Sequence, residues 1–574
     1  WVPVFKDPEV AEGFRQDRPQ GTYWRTLAPV HAAEVPRNDY SRFAWDPVFP
    51  FETETIRVRR VFTIDTLFVA NFASPEGRWR GLGWFFDEAG HKIASPVTRL
   101  DYVVLPPGRQ AKGRGRFVML PFEPEAGYWD SADGRSLIRE AAQHAALGSA
   151  LVWLQTPLAS VHEGEIAQAV LHLRDRQPPK DSATADTRVR VELEHEGETI
   201  DTQIVAVASA ELDENLHFPR ATTPGLYKLT ATYERDGQVV DVHETGFWRR
   251  DESILASGAF LDVGTTYLRR GDRPFIPIGV NMWVNDTAWP FFPSNANSFE
   301  WDRDFHEMDE RDINFVRTGI WFSRDLLIDR ATRTAREEVL RNLEAMFLTA
   351  GKHGMQVQFV FFSFEPQTSM RGGSGILGPG RNPYTDPVAV DAQAAFVRSI
   401  VDRFKEVPFV SWDLINEPSF SNPGAIFSGN QPNNDPTEVE AWNAWLRERY
   451  GTTRVLAEIW GEIPAGLRGA AIAAGMPAVD DPPIAGVPLP SPQDLGLDRR
   501  ATRGQIRAFD YNLFAQDMFS HWAAELVQAI RSTGSRQMVA VGQDEGGVTN
   551  RVLNHFYGEV VDMTSLHNWW QDDA

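Results

Sequence analysis

The sequence predicts a multidomain chain in which N-terminal β-sandwich domains precede a parallel α/β barrel. Three observations lead there. An apolar run from Phe409 to Ile415 stops abruptly on Asn416-Glu417-Pro418. From Phe275 onward, apolar strand-like runs alternate with stretches of helical periodicity, the pattern of a parallel sheet. Upstream of that point the pattern is short strands separated by Gly- and Pro-containing turns.

The run ending at Ile415 is nearly continuous in apolar residues, as a strand covered on both faces must be. Pro418 has no N–H and cannot extend the ladder, so Glu417 falls at the carboxyl end of the strand. That is the end at which a parallel α/β barrel carries its chemistry. Five further runs read as strands of the same sheet: Phe275 to Asn281, Ile313 to Arg317, Gln356 to Phe362, Met538 to Gly542, and Val561 to His567. Between them lie helical patterns. The stretch from Asp302 to Arg311 is polar and helix-compatible, Leu340, Leu343 and Phe347 share a face before Gly351 and Gly354, and Phe396, Ile400 and Phe404 step by four. Phe514, Met518, Trp522 and Leu526 form a fourth stripe.

A buried strand followed by Asn-Glu-Pro resembles the fourth strand of the clan A glycoside hydrolases, retaining β-glycosidases of the family 2 and family 5 kind built on a (β/α)8 TIM barrel. The resemblance covers Phe275 to Trp570 and implies that the chain supplies about six βα units of such a barrel. It also implies that Glu417 is the general acid/base and that Asn416 binds the sugar hydroxyl next to the anomeric carbon. Arg317 and His567, at the ends of strands two and six, are similar in position to the clan residues that steady the nucleophilic carboxylate. The chemistry fits, because a glycosidic oxygen leaves only when an acid protonates it in the transition state. Asn281, Glu365 and Asn568 lie at strand ends where they can contact sugar, and Trp283, Trp321, Trp569 and Trp570 offer flat faces for a pyranose.

A retaining glycosidase needs a second carboxylate about 5 Å from the first. In the clan it is a Glu ending strand seven, and this sequence stops at Ala574, just after strand six. The expectation is therefore that the nucleophile is not in this chain and that a second polypeptide fragment completes the barrel. Glu545, in a Gly-rich loop after strand five, reads as a residue shaping the site rather than as the nucleophile.

Residues 1–160 read as a jelly-roll-like sandwich with an N-terminal extension. Its candidate strands include Val61 to Ile64 and Leu67 to Ala70, with turns at Asp87 to Gly90 and Pro106 to Gly108 and a helical stretch from Leu137 to Leu147. Residues 161–252 read as an immunoglobulin-like sandwich. Val189, Val191 and Leu193 alternate with polar residues, as do Tyr227, Leu229, Ala231 and Tyr233, and Asp236-Gly237 marks a hairpin. Residues 253–574 are the barrel, incomplete at its C-terminus. Two segments interrupt it: a Gly-rich loop from Arg371 to Gly380, read as a mobile rim, and an insertion over 419–503 with a helix around Val439 to Tyr450. Long insertions on the active face favour a pocket and exo cleavage.

A net charge of −22, from 57 basic and 79 acidic residues, argues against nucleic acid and anionic membrane as partners. No apolar stretch approaches the roughly 20 residues of a membrane span. With no cysteine there is no disulfide framework or thiolate chemistry. The 13 histidines show no metal-ligand spacing, and carboxylate-driven hydrolysis needs neither metal nor cofactor. The chain opens on Trp1 rather than Met, read as loss of a leader or a start within a longer sequence, and the expected location is periplasmic or extracellular. The expected partner is an oligo- or polysaccharide or glycoside, with a β-galactosidase-like or β-mannosidase-like activity. The alternatives are a non-catalytic carbohydrate-binding or scaffold protein lacking the nucleophile, or a transglycosylase.

Overall fold

The computed structural model describes residues 42–49, 51, 56–61, 77–88, 90, 92–102, 115–148, 150–175, 187–282, 296–319, 327–363, 381–418, 420, 432–461, 483–491, 495, 504–543 and 557–567. The chain divides into two compact units. The described residues of Trp1–Asp251 and Trp283–Asp304 form one, and those of Glu252–Met282 and Phe305–Ala574 the other.

The described part of the first unit is mostly β, with one 15-residue helix among its strands. Arg42–Trp45, Gly77–Phe86, Lys92–Tyr102 and Gly115–Met119 pair in that order as a four-stranded antiparallel sheet, and Val58–Val61 pairs with Phe122–Pro124. Most of the strand expected over Val61 to Ile64, and all of the one at Leu67 to Ala70, lie outside the described residues, as does the turn at Pro106 to Gly108. The expected helix is Ala132–Ala146, begun by Ser131, whose hydroxyl accepts from Gly134 N–H at 3.0 Å.

The second sandwich pairs a five-stranded sheet with a three-stranded one made of Glu211–Phe218, Ala167–Asp175 and Ala150–Gln155. Its core is the alternation read from the sequence, with Val189, Val191 and Leu193 opposite Tyr233, Ala231 and Leu229. Asp236 and Gly237 both take positive φ, 50° and 75°, which gives the hairpin its tight turn. The expected boundary between residues 160 and 161 is corrected. Ala150–Gln155 pairs along its whole length with Ala167–Asp175, so this sandwich starts at least ten residues earlier. Local alternation marks a strand but does not reveal its partner.

The second unit holds the parallel sheet. Its strands are β1 (Gly279–Asn281), β2 (Phe315–Gly319), β3 (Gln356–Ser363), β4 (Val410–Asn416), β5 (Val539–Gln543) and β6 (Met563–Leu566), hydrogen-bonded in sequence order and all parallel. Among the described residues the sheet is open, with β1 and β6 at its edges, so what is seen is a half-barrel rather than a closed ring. Every residue of β3 and β4 is buried, as the apolar runs require. Helices join the strands: α1 (Ser298–Asp309) before β2, α2 (Glu337–Lys352) before β3, and α3 (Pro387–Phe404) before β4. The insertion after β4 contributes α4 (Pro436–Tyr450) and α5 (Thr453–Trp460), and α6 (Gly504–Ser532) returns the chain to β5.

The first strand is shorter than expected. Arg273–Phe275 joins an antiparallel sheet with Leu261–Val263 and Leu268–Arg270, and only Gly279–Asn281 enters the parallel ladder. Pro274 and Pro277 lack the N–H a continuous strand would use. Across the gap the Asn314 side chain replaces a ladder rung. It donates to Ile276 O at 3.1 Å and accepts from Ile278 N–H at 2.9 Å.

Candidate active site

The candidate site is built across β2, β3, β4 and β5, next to the carboxyl ends of β4, β5 and β6. Side chains alternate along a strand, so Asp413 and Asn416, three residues apart, would ordinarily face opposite sides of the sheet. A bulge in β4 changes this. Against β5 the register runs Asp413↔Ala540 and then Asn416↔Gly542, three steps on one strand against two on the other. The extra residue turns Asn416 back to the face occupied by Asp413. One guanidinium then touches both: Arg317 Nε and Nη2 donate to Asp413 Oδ2 at 3.0 and 2.8 Å, and Nη1 donates to Asn416 Oδ1 at 3.0 Å.

Asp413 is fully buried, and its oxygens collect donors from four strands. Gln358 Nε2 reaches Oδ2 at 3.0 Å, while Oδ1 accepts from Gly542 N–H at 3.1 Å and from Ile415 N–H at 3.2 Å. A buried carboxylate without a cation would be costly, and Arg317 supplies the charge. Burial first, and the Asp413 charge second, push the Tyr557 phenol above its ordinary pKa, so it stays neutral.

Glu417 follows the bulge with φ of 50°, a left-handed conformation unusual for a residue with a Cβ and costing on the order of 1–3 kcal/mol. Two contacts hold it there. Its N–H donates to Gly542 O at 2.7 Å, and its Oε1 lies 2.8 Å from Nδ1 of His567, just past the end of β6. Gly542 is thus bonded to both acidic residues, and its lack of a side chain matters. A Cβ there would lie 2.5 Å from Arg317 Nη2 and 3.0 Å from His567 Nε2.

Of the residues singled out in the sequence, Arg317, Asn416, Glu417 and His567 come together. Among the described residues His567 contacts Glu417, and Arg317 contacts Asp413 and Asn416. Asn281 pairs with Arg317 in the β1–β2 ladder but is exposed. Trp283, Trp321, Glu365, Asn568, Trp569, Trp570 and Glu545 lie outside the described residues, as does the loop from Arg371 to Gly380. The insertion over 419–503 is described only at 420, 432–461, 483–491 and 495.

Sequence reasoning missed Asp413, Gln358 and Gly542. A signal existed for the first two, since each is a polar residue inside a strand whose other positions are buried and mostly apolar. Such a residue needs a partner across the sheet. Among the described residues no group of three or more His, Asp or Glu side chains is arranged to hold a metal ion.

No protein-family model matches the chain, and no curated protein matches it. Solved structures that resemble it include a β-galactosidase from the psychrophilic Marinomonas ef1, at 16% identity and a TM-score of 0.36, covering 51% of this chain and 41% of that one. A β-galactosidase from the Antarctic haloarchaeon Halorubrum lacusprofundi is 20% identical with a TM-score of 0.36, covering 52% and 42%. An exo-β-1,4-mannosidase from Opitutaceae bacterium strain TAV5 is 15% identical with a TM-score of 0.29, covering 55% and 40%. The chain spans about two fifths of the length of each of these three. Likeness at this level carries no argument about activity, which rests on the site itself.

Proposed function

We propose that this chain carries the acid/base half of a retaining, exo-acting β-glycosidase of the β-galactosidase or β-mannosidase kind. The observation that supports the reading is the bulged end of β4, which presents Asn416 and then Glu417 in a strained conformation against His567. Strain and buried polar contacts of this kind gather at functional sites.

In the proposed reaction Glu417 gives its proton to the glycosidic oxygen as the bond to the anomeric carbon breaks. The Asn416 amide nitrogen, its oxygen being engaged by Arg317, donates to the neighbouring sugar hydroxyl. In the second step the Glu417 carboxylate takes a proton from water as water displaces the sugar from the nucleophile. Asp413 is not that nucleophile, because its oxygens are committed to Arg317, Gln358 and two backbone N–H groups. The nucleophile, and the strands that close the barrel, are supplied by residues outside the described ones.

The test is Glu417→Gln assayed on aryl β-glycosides of graded leaving-group ability. Loss of an acid should cost roughly 10²–10⁴-fold in rate on poor leaving groups and far less on dinitrophenyl glycosides, which depart without protonation. Equal losses across the series would mean that Glu417 is not the acid. A wild-type protein that binds β-glycosides and hydrolyses none would be a binding protein.

A further inference from the structure

We infer that Asp413 is the positioning residue of this site, fixing which end of the Asn416 amide faces the substrate and so governing recognition of the hydroxyl next to the anomeric carbon. The inference rests on the glycosidase reading of Asn416 and Glu417.

Two independent pieces of geometry support it. The first is the backbone. Within the bulged segment Asp413 Oδ1 accepts from Ile415 N–H at 3.2 Å while also accepting Gly542 N–H from β5 at 3.1 Å. The carboxylate therefore pins the irregularity that turns Asn416 to its own face. The second is the side chain. An asparagine amide can sit either way round, and its orientation is set by its partners. Arg317 is donor-only, so the atom it contacts in Asn416 must be the oxygen, which commits the nitrogen to donate elsewhere. Arg317 is in turn held through Nε and Nη2 by Asp413 Oδ2, which Gln358 also contacts. Removing the charge at Asp413 frees the guanidinium to rotate and releases the bulge at once.

Asp413 touches no substrate atom in this scheme. It acts through Asn416, and that gives a readout a merely structural role would not move. Asp413→Asn keeps the shape and removes the charge. The variant is compared with wild type on a β-glycoside and on its 2-deoxy counterpart, which lacks the hydroxyl Asn416 binds, with thermal melting measured in parallel. The expected result is a loss in kcat/KM of roughly 100-fold on the parent glycoside, with the 2-deoxy substrate affected severalfold at most. Equal losses on both substrates would overturn the inference and make Asp413 a structural anion only. Should Asp413→Asn not fold, Gln358→Met removes one donor to the same carboxylate, and it must show the same preferential loss on the parent substrate at smaller size. The underlying reading fails separately: wild type would then show no advantage for the parent over the 2-deoxy glycoside, or no hydrolysis of either, and the inference would fall with it.

Discussion

Among the described residues each unit holds a buried arginine–aspartate cluster, and the two end on different kinds of partner. In the all-β unit Arg99 contacts Asp241 at 2.7 Å and Asp101 at 2.6 Å, and Arg116 joins Asp101 at 2.9 Å. That network runs out onto backbone: Asp241 Oδ2 accepts from Val152 N–H at 2.9 Å, and Arg116 Nη2 donates to Ala150 O at 3.4 Å. It thereby joins Lys92–Tyr102 and Gly115–Met119 of the four-stranded sheet to Ala150–Gln155 and Gln238–Arg249 of the second sandwich. In the α/β unit the cluster around Asp413 spans neighbouring parallel strands, and its Arg317 runs out onto a side chain at a strand end, Asn416. The same ion pair stitches elements together in one place and presents a functional group in the other.

The largest effect expected from breaking this contrast is on stability. Asp241→Asn leaves Arg99 short of one buried counter-charge and should cost about 3 kcal/mol or more, read as a shift in the urea midpoint. Activity per folded molecule should not change. A fall in kcat/KM of the folded variant would mean that the sandwich cluster also serves the site. Gly542→Ala is the converse. Its new Cβ falls 2.5 Å from Arg317 Nη2 and 3.0 Å from His567 Nε2, so both must shift. A displacement of that size should cost roughly 100-fold in kcat/KM, with about 1–3 kcal/mol of overpacking in the same melting experiment. Near-wild-type kinetics would show that the Arg317 and His567 positions are not needed.

Much of the sheet was legible because burial on both faces leaves a continuous apolar run, and β3, β4 and β5 stand close to where those runs lie. Glu417 was legible as a strand-end carboxylate for a related reason: it follows such a run just before a proline. The bulge was not legible. Nothing in Asp413-Leu414-Ile415-Asn416 announces an extra residue, since the irregularity exists only relative to β5. The first strand was overread because Phe275 to Asn281 is apolar throughout, while the consequence of Pro274 and Pro277 depends on which neighbour the backbone faces. The link between the four-stranded sheet and the second sandwich was hidden for the same reason, because Asp241 lies far in sequence from Arg99 and Asp101, and all three look like ordinary strand charges.

Another buried acid sharpens the comparison, because its hydrogen-bond donors are neutral. Glu438, on α4 in the insertion, is almost completely buried. It accepts from Tyr511 Oη at 2.9 Å and from Asn434 N–H at 2.8 Å. Burial pushes its carboxyl up to about 7, and these donors offset only part of that. Neighbouring Asp435 is also pushed upward by burial. The donors Thr437, Asn382, Glu438 N–H and Asn433 outweigh that and leave it below its usual value. The two acids therefore contribute to stability in opposite directions. Below the ordinary glutamate range both folded and unfolded chains carry the Glu438 proton, and nothing is lost. Between pH 4.5 and about 7 the unfolded chain releases it while the folded chain keeps it, so stability falls as pH rises. The loss should reach roughly 3 kcal/mol by pH 8. Glu438→Gln stays neutral throughout and should remove that slope, so unfolding midpoints at pH 5 and pH 8 should lie closer together in the variant than in wild type. An unchanged slope would mean that the carboxylate is accommodated without a cation, and that the arginines of the two clusters are not what makes their buried aspartates tolerable.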